Sequence, residues 1–148
     1  PMGAGMGASV AAGPSLTLAP ADFDAFEQTL NGVQSAWSRR DLDGLNALST
    51  DEMGGYFAGQ LKELADAGLE NHIDSVKLEK GDLSEAWSEG VTDLATVSLR
   101  FTALDYTFDK ASGKIVEGSD RERIEATEYW TFQRQSNGPW KLSAIQQV

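Results

Sequence analysis

Cysteine is absent from the 148 residues, which excludes disulfides, thiolate metal sites and cysteine nucleophiles while fixing no compartment. Histidine occurs once, as His72. A lone histidine without cysteine falls short of the ligand count of a zinc site. Its neighbours Glu70, Asn71 and Asp74 suit a partly exposed junction between a helix cap and a strand better than a general base. Basic residues are also few: 12 Lys and Arg stand against 23 Asp and Glu, a net charge of −11. That balance disfavours a phosphate-binding surface, so nucleic acid is not an expected partner. The basic pairs Arg39 with Arg40, and Arg121 with Arg123, are interleaved with acids and read as solvated faces. No apolar run approaches the roughly 18–20 residues of a membrane helix, and no charged n-region marks a signal peptide. The chain starts with Pro1 rather than Met, so it is expected to be a piece of a longer protein.

Several motifs are missing as well. No phosphate loop, dinucleotide fingerprint or Gly-x-Ser-x-Gly elbow occurs. The acidic pairs Asp22 with Asp24, Asp41 with Asp43, and Asp51 with Glu52 lack the ligand spacing of a calcium loop and are better read as helix N-termini. No cofactor and no metal is expected.

What remains is the composition of an ordinary globular domain, 41% hydrophobic and 24% charged. Residues 1–18 open with Gly3, Gly5, Gly7 and Gly13 among Ala, Met and Pro, which predicts a flexible linker. Residues 19–148 form one domain. Pro20, Asp22 and Asp24 open a helix whose apolar stripe is Phe23, Phe26, Leu30, Val33 and Trp37. Arg39 and Arg40 fall in its expected last turn. Asp41 caps a short second helix carrying Leu42, Leu45 and Leu48. Ser49 with Glu52 reads as a capping box opening a third helix, with Met53, Phe57, Leu61 and Leu64 on one face and Gly68 at its end.

The period then changes to two. A strand over 73–79, a break at Gly81 and Asp82, and a continuation over 83–87 precede a turn at Gly90. Ala95, Val97, Leu99, Phe101 and Ala103 share one face of a long strand. Near Asp105 the apolar set shifts to Leu104, Tyr106 and Phe108, which predicts a bulge or strong bend. Strands over 114–117 and 124–133, bent at Gly118, Ser119 and Asp120, precede a turn at Asn137-Gly138-Pro139 and a last strand over 140–147. The expected architecture is α+β: three N-terminal helices packed on a strongly curved, roughly four-stranded antiparallel sheet, a cone with a pocket. Trp130, Phe132, Trp140 and Leu142 would form its floor.

Two acids carry chemical potential. Glu128 shares strand parity with Ala126, Trp130 and Phe132, and Asp105 continues the Val97–Phe101 parity unless the bulge turns it outward. A carboxyl in an apolar cone has a raised pKa and can move a proton. Buried acids are usually paired, however, and Arg100 and Arg134 are the expected neutralising neighbours. Trp37, Phe57, Phe101, Trp130 and Trp140 fall on apolar faces, as core or as the lining of a pocket for an acyl chain or a partner's side chain.

Four separated blocks carry a family resemblance: Gln34-Ser35-Ala36-Trp37-Ser38-Arg39-Arg40-Asp41-Leu42-Asp43-Gly44-Leu45, Asp93-Leu94-Ala95-Thr96-Val97, Glu128-Tyr129-Trp130-Thr131-Phe132-Gln133-Arg134, and Gly138-Pro139-Trp140-Lys141-Leu142-Ser143-Ala144-Ile145-Gln146. Together they resemble the C-terminal domain of bacterial members of the mitochondrial inner-membrane import translocase subunit 44 family. The resemblance implies the nuclear-transport-factor-2-like cone, no enzymatic activity, and inner-membrane association of the full-length parent, with this piece itself soluble. It also implies a role as an interaction or scaffold domain whose pocket, bounded by Trp37, Phe57, Phe101, Glu128, Trp130 and Trp140, takes a protein partner or a lipid acyl chain. The linker shows no basic amphipathic helix, which departs from direct binding to anionic lipid. A homodimer through the free sheet face is compatible with this reading. The competing reading is a small cofactor-free isomerase or dehydratase using Asp105 or Glu128 as base, with Tyr106 or Tyr129 as partner.

Overall fold

The computed structural model describes residues 13–148, so most of the linker expected over 1–18 lies outside the described residues. Within its described part, Ser15 forms an antiparallel bridge with Trp87. Backbone hydrogen bonds of 3.0 Å join Leu16 N to Ala86 O and Ser88 N to Pro14 O.

Helix α1 spans Pro20–Ser38. Pro20 suits the first turn because its missing N–H costs nothing there, and Asp22 turns back to accept from Ala19 N at 2.8 Å. Phe26, Leu30, Val33 and Trp37 are buried, whereas Phe23 on the same stripe stays 39% exposed. Arg39 and Arg40 lie just past the helix rather than in its last turn, with Arg40 at φ 54°. Helix α2, Leu42–Leu48, is capped as expected by Asp41, which accepts from Gly44 N at 2.9 Å. Helix α3 spans Asp51–Asp66, and here the cap differs: Thr50, not Ser49, accepts from Met53 N at 3.3 Å. Ser49 closes α2 and makes a parallel bridge to Leu142, which leaves Thr50 as the residue before the first turn of α3. Gly68, at φ 73°, takes the left-handed position that ends the helical half.

Five strands follow: β1 Leu69–Glu89, β2 Thr92–Asp109, β3 Ile115–Gly118, β4 Ile124–Gln135 and β5 Lys141–Gln147. They form one antiparallel, curved and unclosed sheet in the order β1-β2-β4-β5, with β3 also on β2. Strands β3 and β4 pair with successive parts of β2, so the four expected lines hold five strands. Gly118, at φ 76°, stands at the interruption. A Cβ there would lie 2.1 Å from Asp105 O, so only glycine lets the two backbones approach.

Strand β1 does not break at Gly81, which pairs with Leu99 inside a continuous strand. Instead β1 uses 21 residues where β2 uses 18. The difference, 21 − 18 = 3, matches three register shifts, between Asp74 and Lys77, Leu78 and Lys80, and Leu83 and Glu85. Each extra residue bends the strand and increases its twist, which is how the sheet curls. The bulge expected in β2 near Asp105 is therefore in its partner strand, beside Ser75 at φ 53°. Asp105 pairs with Ile73 and keeps its inward parity. Tyr106 and Phe108 take the outer face, where both rings stack on His72 at 5.4 Å.

The core lies between α1, α3 and the inner sheet face. Phe26 stacks on Phe132 at 4.4 Å and meets Trp140 edge-on at 5.1 Å, pairs worth about 0.5–1.5 kcal/mol each beyond area burial. Polar contacts fix the same junction. Asp22 Oδ1 accepts from Arg134 Nη1 at 2.9 Å and from Trp140 Nε1 at 3.0 Å, and Arg134 Nε donates to Asp93 Oδ2 at 2.9 Å. The guanidinium carbon sits 4.4 Å from the Trp140 ring centre. The first turn of α1 is thus bound to the closing hairpin.

Candidate functional site

A cavity of about 200 Å³ lies between α1 and the concave sheet. Its apolar wall is Ile73 of β1, Phe101 of β2, and Ile124 and Ala126 of β4. Its polar groups are Gln34 of α1, Asp105 of β2, Glu128 of β4 and Gln147 of β5. Among the described residues, no lysine, arginine or histidine lines it. Ile124, 38% exposed, and the exposed Gln147 mark its mouth.

The strand alternation that turns Ala126 and Trp130 inward also brings Glu128 inward. Its Oε1 accepts from Trp130 Nε1 at 2.9 Å and its Oε2 from Gln147 Nε2 at 3.3 Å. Only 6% of Glu128 is exposed. Burial pushes its carboxyl above the ordinary glutamate range. The Trp130 and Gln147 hydrogen bonds pull it back in part, and the charge of Asp105 pushes it up again.

Asp105 is held from β1. Asn71 Nδ2 donates to Asp105 Oδ1 at 3.0 Å, to Tyr106 O at 3.2 Å and to Thr107 Oγ1 at 3.0 Å, while Asn71 Oδ1 accepts from Trp37 Nε1 at 2.8 Å. Asn71 therefore ties the end of α1 to β1 and β2. Gln34 differs from both acids. It is fully buried, and neither its Nε2 nor its Oε1 has a hydrogen-bond partner among the described residues.

Of the side chains anticipated for a pocket, Phe101 and Glu128 line this cavity, with Asp105 beside them. Trp37, Phe57 and Trp130 are fully buried in the core, and Trp140 is spent on Asp22. Trp37 also lines a shallow depression with Gln60, Glu63, Leu64 and Ala67 of α3 and its end. The arginines expected to neutralise the acids are engaged elsewhere: Arg100 with Glu125 at 3.6 Å on the outer face, and Arg134 with Asp22 and Asp93. Hydrogen-bond donors take their place. Tyr106 does not converge on the acids. Its hydroxyl donates to Asp74 Oδ2 at 2.8 Å, and this bond, with burial and the charges of Asp74 and Asp120, pushes its pKa up to about 12. Tyr129 is 37% exposed on the opposite parity. His72 contacts Glu70 at 3.3 Å outside the cavity. Among the described residues, no cluster of His, Asp and Glu suited to a metal ion occurs.

Gln34, Asn71 and Gln147 are the residues that sequence reasoning missed. Gln34 had a signal: it lies four residues after Leu30 and three before Trp37, on the buried stripe.

Residues 16–147 match the Tim44-like domain family model. The chain belongs to the Tim44-like domain family. The intermembrane-space region of the chloroplast protein ARC6 has a similar fold, with a TM-score of 0.54 at 14% identity, covering 84% of this chain and 96% of that one. A conserved protein from Planctomyces limnophilus DSM 3776 aligns at a TM-score of 0.47 and 13% identity, covering 86% and 98% of the two chains. A candidate dehydratase of the NTF2-like family from Streptomyces avermitilis aligns at 0.45 and 17%, covering 86% and 96%. No curated protein matches the chain. At 14% identity the ARC6 structure speaks to fold alone.

Tim44-like domains are translocase-related scaffold domains, generally non-enzymatic, that interact with proteins and membranes. The family is membrane-associated. Among the described residues, no helix of this Tim44-like chain is long and apolar enough to cross a membrane.

Proposed function

We propose that this Tim44-like domain is a non-catalytic docking module of an inner-membrane-associated bacterial protein, holding a side chain of a protein partner or an acyl chain in the cavity beneath α1. The observation that carries this reading is the state of the cavity acids. Each accepts hydrogen bonds from the fold itself, Glu128 from Trp130 and Gln147, and Asp105 from Asn71. General acid–base work also needs a partner group across from the carboxyl, and neither candidate tyrosine, Tyr106 or Tyr129, nor His72 faces the acids. The apolar wall of Ile73, Phe101, Ile124 and Ala126 supplies the burial that docking needs.

The isomerase or dehydratase alternative draws on the raised pKa of Glu128. It requires a proton donor that the cavity walls do not provide. Photo-crosslinking separates docking from an empty cavity. A crosslinking residue replacing Ile124, at the mouth, captures a defined protein or lipid from membranes, and one replacing Val116, on exposed β3, does not. Equal capture from both positions, or none from Ile124, overturns the reading.

A further inference from the structure

We propose that the cavity beneath α1 is selective for a primary carboxamide on a short apolar arm, held by Gln34 through two parallel hydrogen bonds. This deepens the docking reading and rests on it.

The pointer to a guest is Gln34 itself. It is fully buried on α1, lines the cavity, and neither its Nε2 nor its Oε1 has a hydrogen-bond partner among the described residues. A carboxamide without hydrogen bonds costs stability when buried, and native folds leave few such groups without cause. The acids of the same wall are already engaged. Asn71 donates to Asp105, while Glu128 meets Trp130, Gln147 and a positive N-terminal charge. Gln34 lies on the buried stripe of α1 between Leu30 and Trp37, where an apolar side chain would serve the packing as well. Its amide is therefore suited to a guest rather than to the fold.

The two unpartnered atoms specify what enters. Nε2 has hydrogens to donate and Oε1 has lone pairs to fill, side by side on one planar group. The complement is a group that presents an acceptor and a donor side by side in turn. A primary carboxamide does so, and both hydrogen bonds then run nearly straight. A trans peptide group points its N–H and its C=O in opposite directions, so it reaches only one atom of Gln34 at a time. A hydroxyl has a single oxygen, and serving both atoms bends both bonds away from the favoured angle. A carboxylate lacks the donor and an ammonium lacks the acceptor. Either ion would also leave water for a site whose acids already have partners, a larger cost than burying a neutral amide.

Size limits the arm. A cavity of about 150 Å³ holds a benzene-sized guest. The volume of about 200 Å³ here thus admits a carboxamide with about two or three methylenes along Ile73 and Phe101. The side chain of a partner's glutamine and a free short-chain amide share this chemistry.

The test uses the folded chain labelled with nitrogen-15. Butyramide, N-methylbutyramide, butyrate, butylamine, butanol and an N-acetyl-glutamine methylamide are titrated separately. The side-chain amide of Gln34 and the indole N–H of Trp130, which donates to Glu128, report on the cavity. Butyramide is expected to move both resonances saturably, and N-methylbutyramide, butyrate, butylamine and butanol to bind about tenfold more weakly or worse. The glutamine derivative binding as well as or better than butyramide identifies a protein side chain as the source, and weaker binding identifies a free amide. Gln34→Met keeps an unbranched side chain and should weaken butyramide by about tenfold or more, read at the Trp130 indole, while leaving butanol unchanged and the amide spectrum otherwise preserved. Butyramide binding unaltered by Gln34→Met overturns the proposal. So does any of the four comparison compounds binding as well as butyramide, which leaves the docking cavity standing. If no compound moves either resonance, the carboxamide proposal falls, and capture from position 124 judges the docking reading separately.

Discussion

Replacing Gln34 by methionine should make the unliganded domain more stable. Gln34 is completely buried on α1 with both amide atoms unpartnered. An uncompensated buried amide costs about 1–3 kcal/mol by mutational data. Methionine keeps the unbranched length and a comparable helix propensity, and its flexible thioether suits the neighbourhood of Ile73 and Phe101. The expected gain is therefore about 1–3 kcal/mol, which in a chain of this size corresponds to roughly 2–4 °C of melting temperature per kcal/mol. Calorimetry and urea unfolding should agree, with the urea slope unchanged. Gln34→Ala provides the contrast: it removes the amide and also deepens the cavity, so the cavity cost offsets the gain. A Gln34→Met domain that melts at or below the wild type, with an unchanged slope, refutes the reasoning. It would mean that the amide is satisfied in solution.

Further outcomes concern charge. Glu128 has a native pKa raised above its ordinary value near 4.5, principally by burial. The native state thus holds this proton more tightly than the unfolded chain, and its contribution to stability is fullest below the unfolded pKa and lost as pH rises through the native one. Glu128→Gln should gain stability relative to wild type between pH 4 and pH 8, measured by unfolding at both. A constant difference across that range refutes the shift. Asp22 behaves in the opposite sense. Burial raises its pKa, but the Trp140 indole, the Ala19 amide and Arg134 together hold it below its ordinary 3.8. Its stabilisation is present above the unfolded pKa and lost as pH falls through the native one. Asp22→Asn should cost about 1–3 kcal/mol at neutral pH and progressively less toward acid, as urea midpoints would record. Tyr106, pushed up to about 12, should ionise above the ordinary tyrosine range in an ultraviolet titration. Asp74→Asn should bring it down, and an unmoved titration would exclude the Asp74 hydrogen bond as the cause.

The helical half was readable because its signals are local. The stripe from Phe26 to Trp37 repeats often enough to fix α1, and Asp41 could cap only one helix. Ser49 and Thr50 are adjacent hydroxyl residues, and the contact that decides between them is the bridge from Ser49 to Leu142, far along the chain. Strand parity correctly turned Glu128 inward. It could not name Trp130 and Gln147 as the donors, because the fifth strand's register is set by pairing and not by its own sequence. The bulge was sensed at Asp105 from a shift in the apolar pattern. Its physical location in β1 depends on the relative lengths of two strands, which neither strand's sequence reveals alone. Gln34 and Asn71 went unread for a related reason. A polar residue on an apolar face carries no label for the cavity or the hydrogen bonds that await it.

The unequal lengths of β1 and β2 also determine where this chain can lose or gain residues. Each surplus position in β1, near Ser75, at Glu79 and at Ser84, stands opposite no separate residue of β2. Removing one leaves the pairing and the inward and outward faces on both sides of it intact. A single deletion anywhere in β2 over 92–103 instead turns part of its apolar row to solvent, because there it is regularly paired with β4. Length variation in this domain is therefore channelled into its outermost long strand. There a surplus residue adjusts how tightly the sheet curls, and hence how much room remains beneath α1, without altering a single residue that lines the cavity.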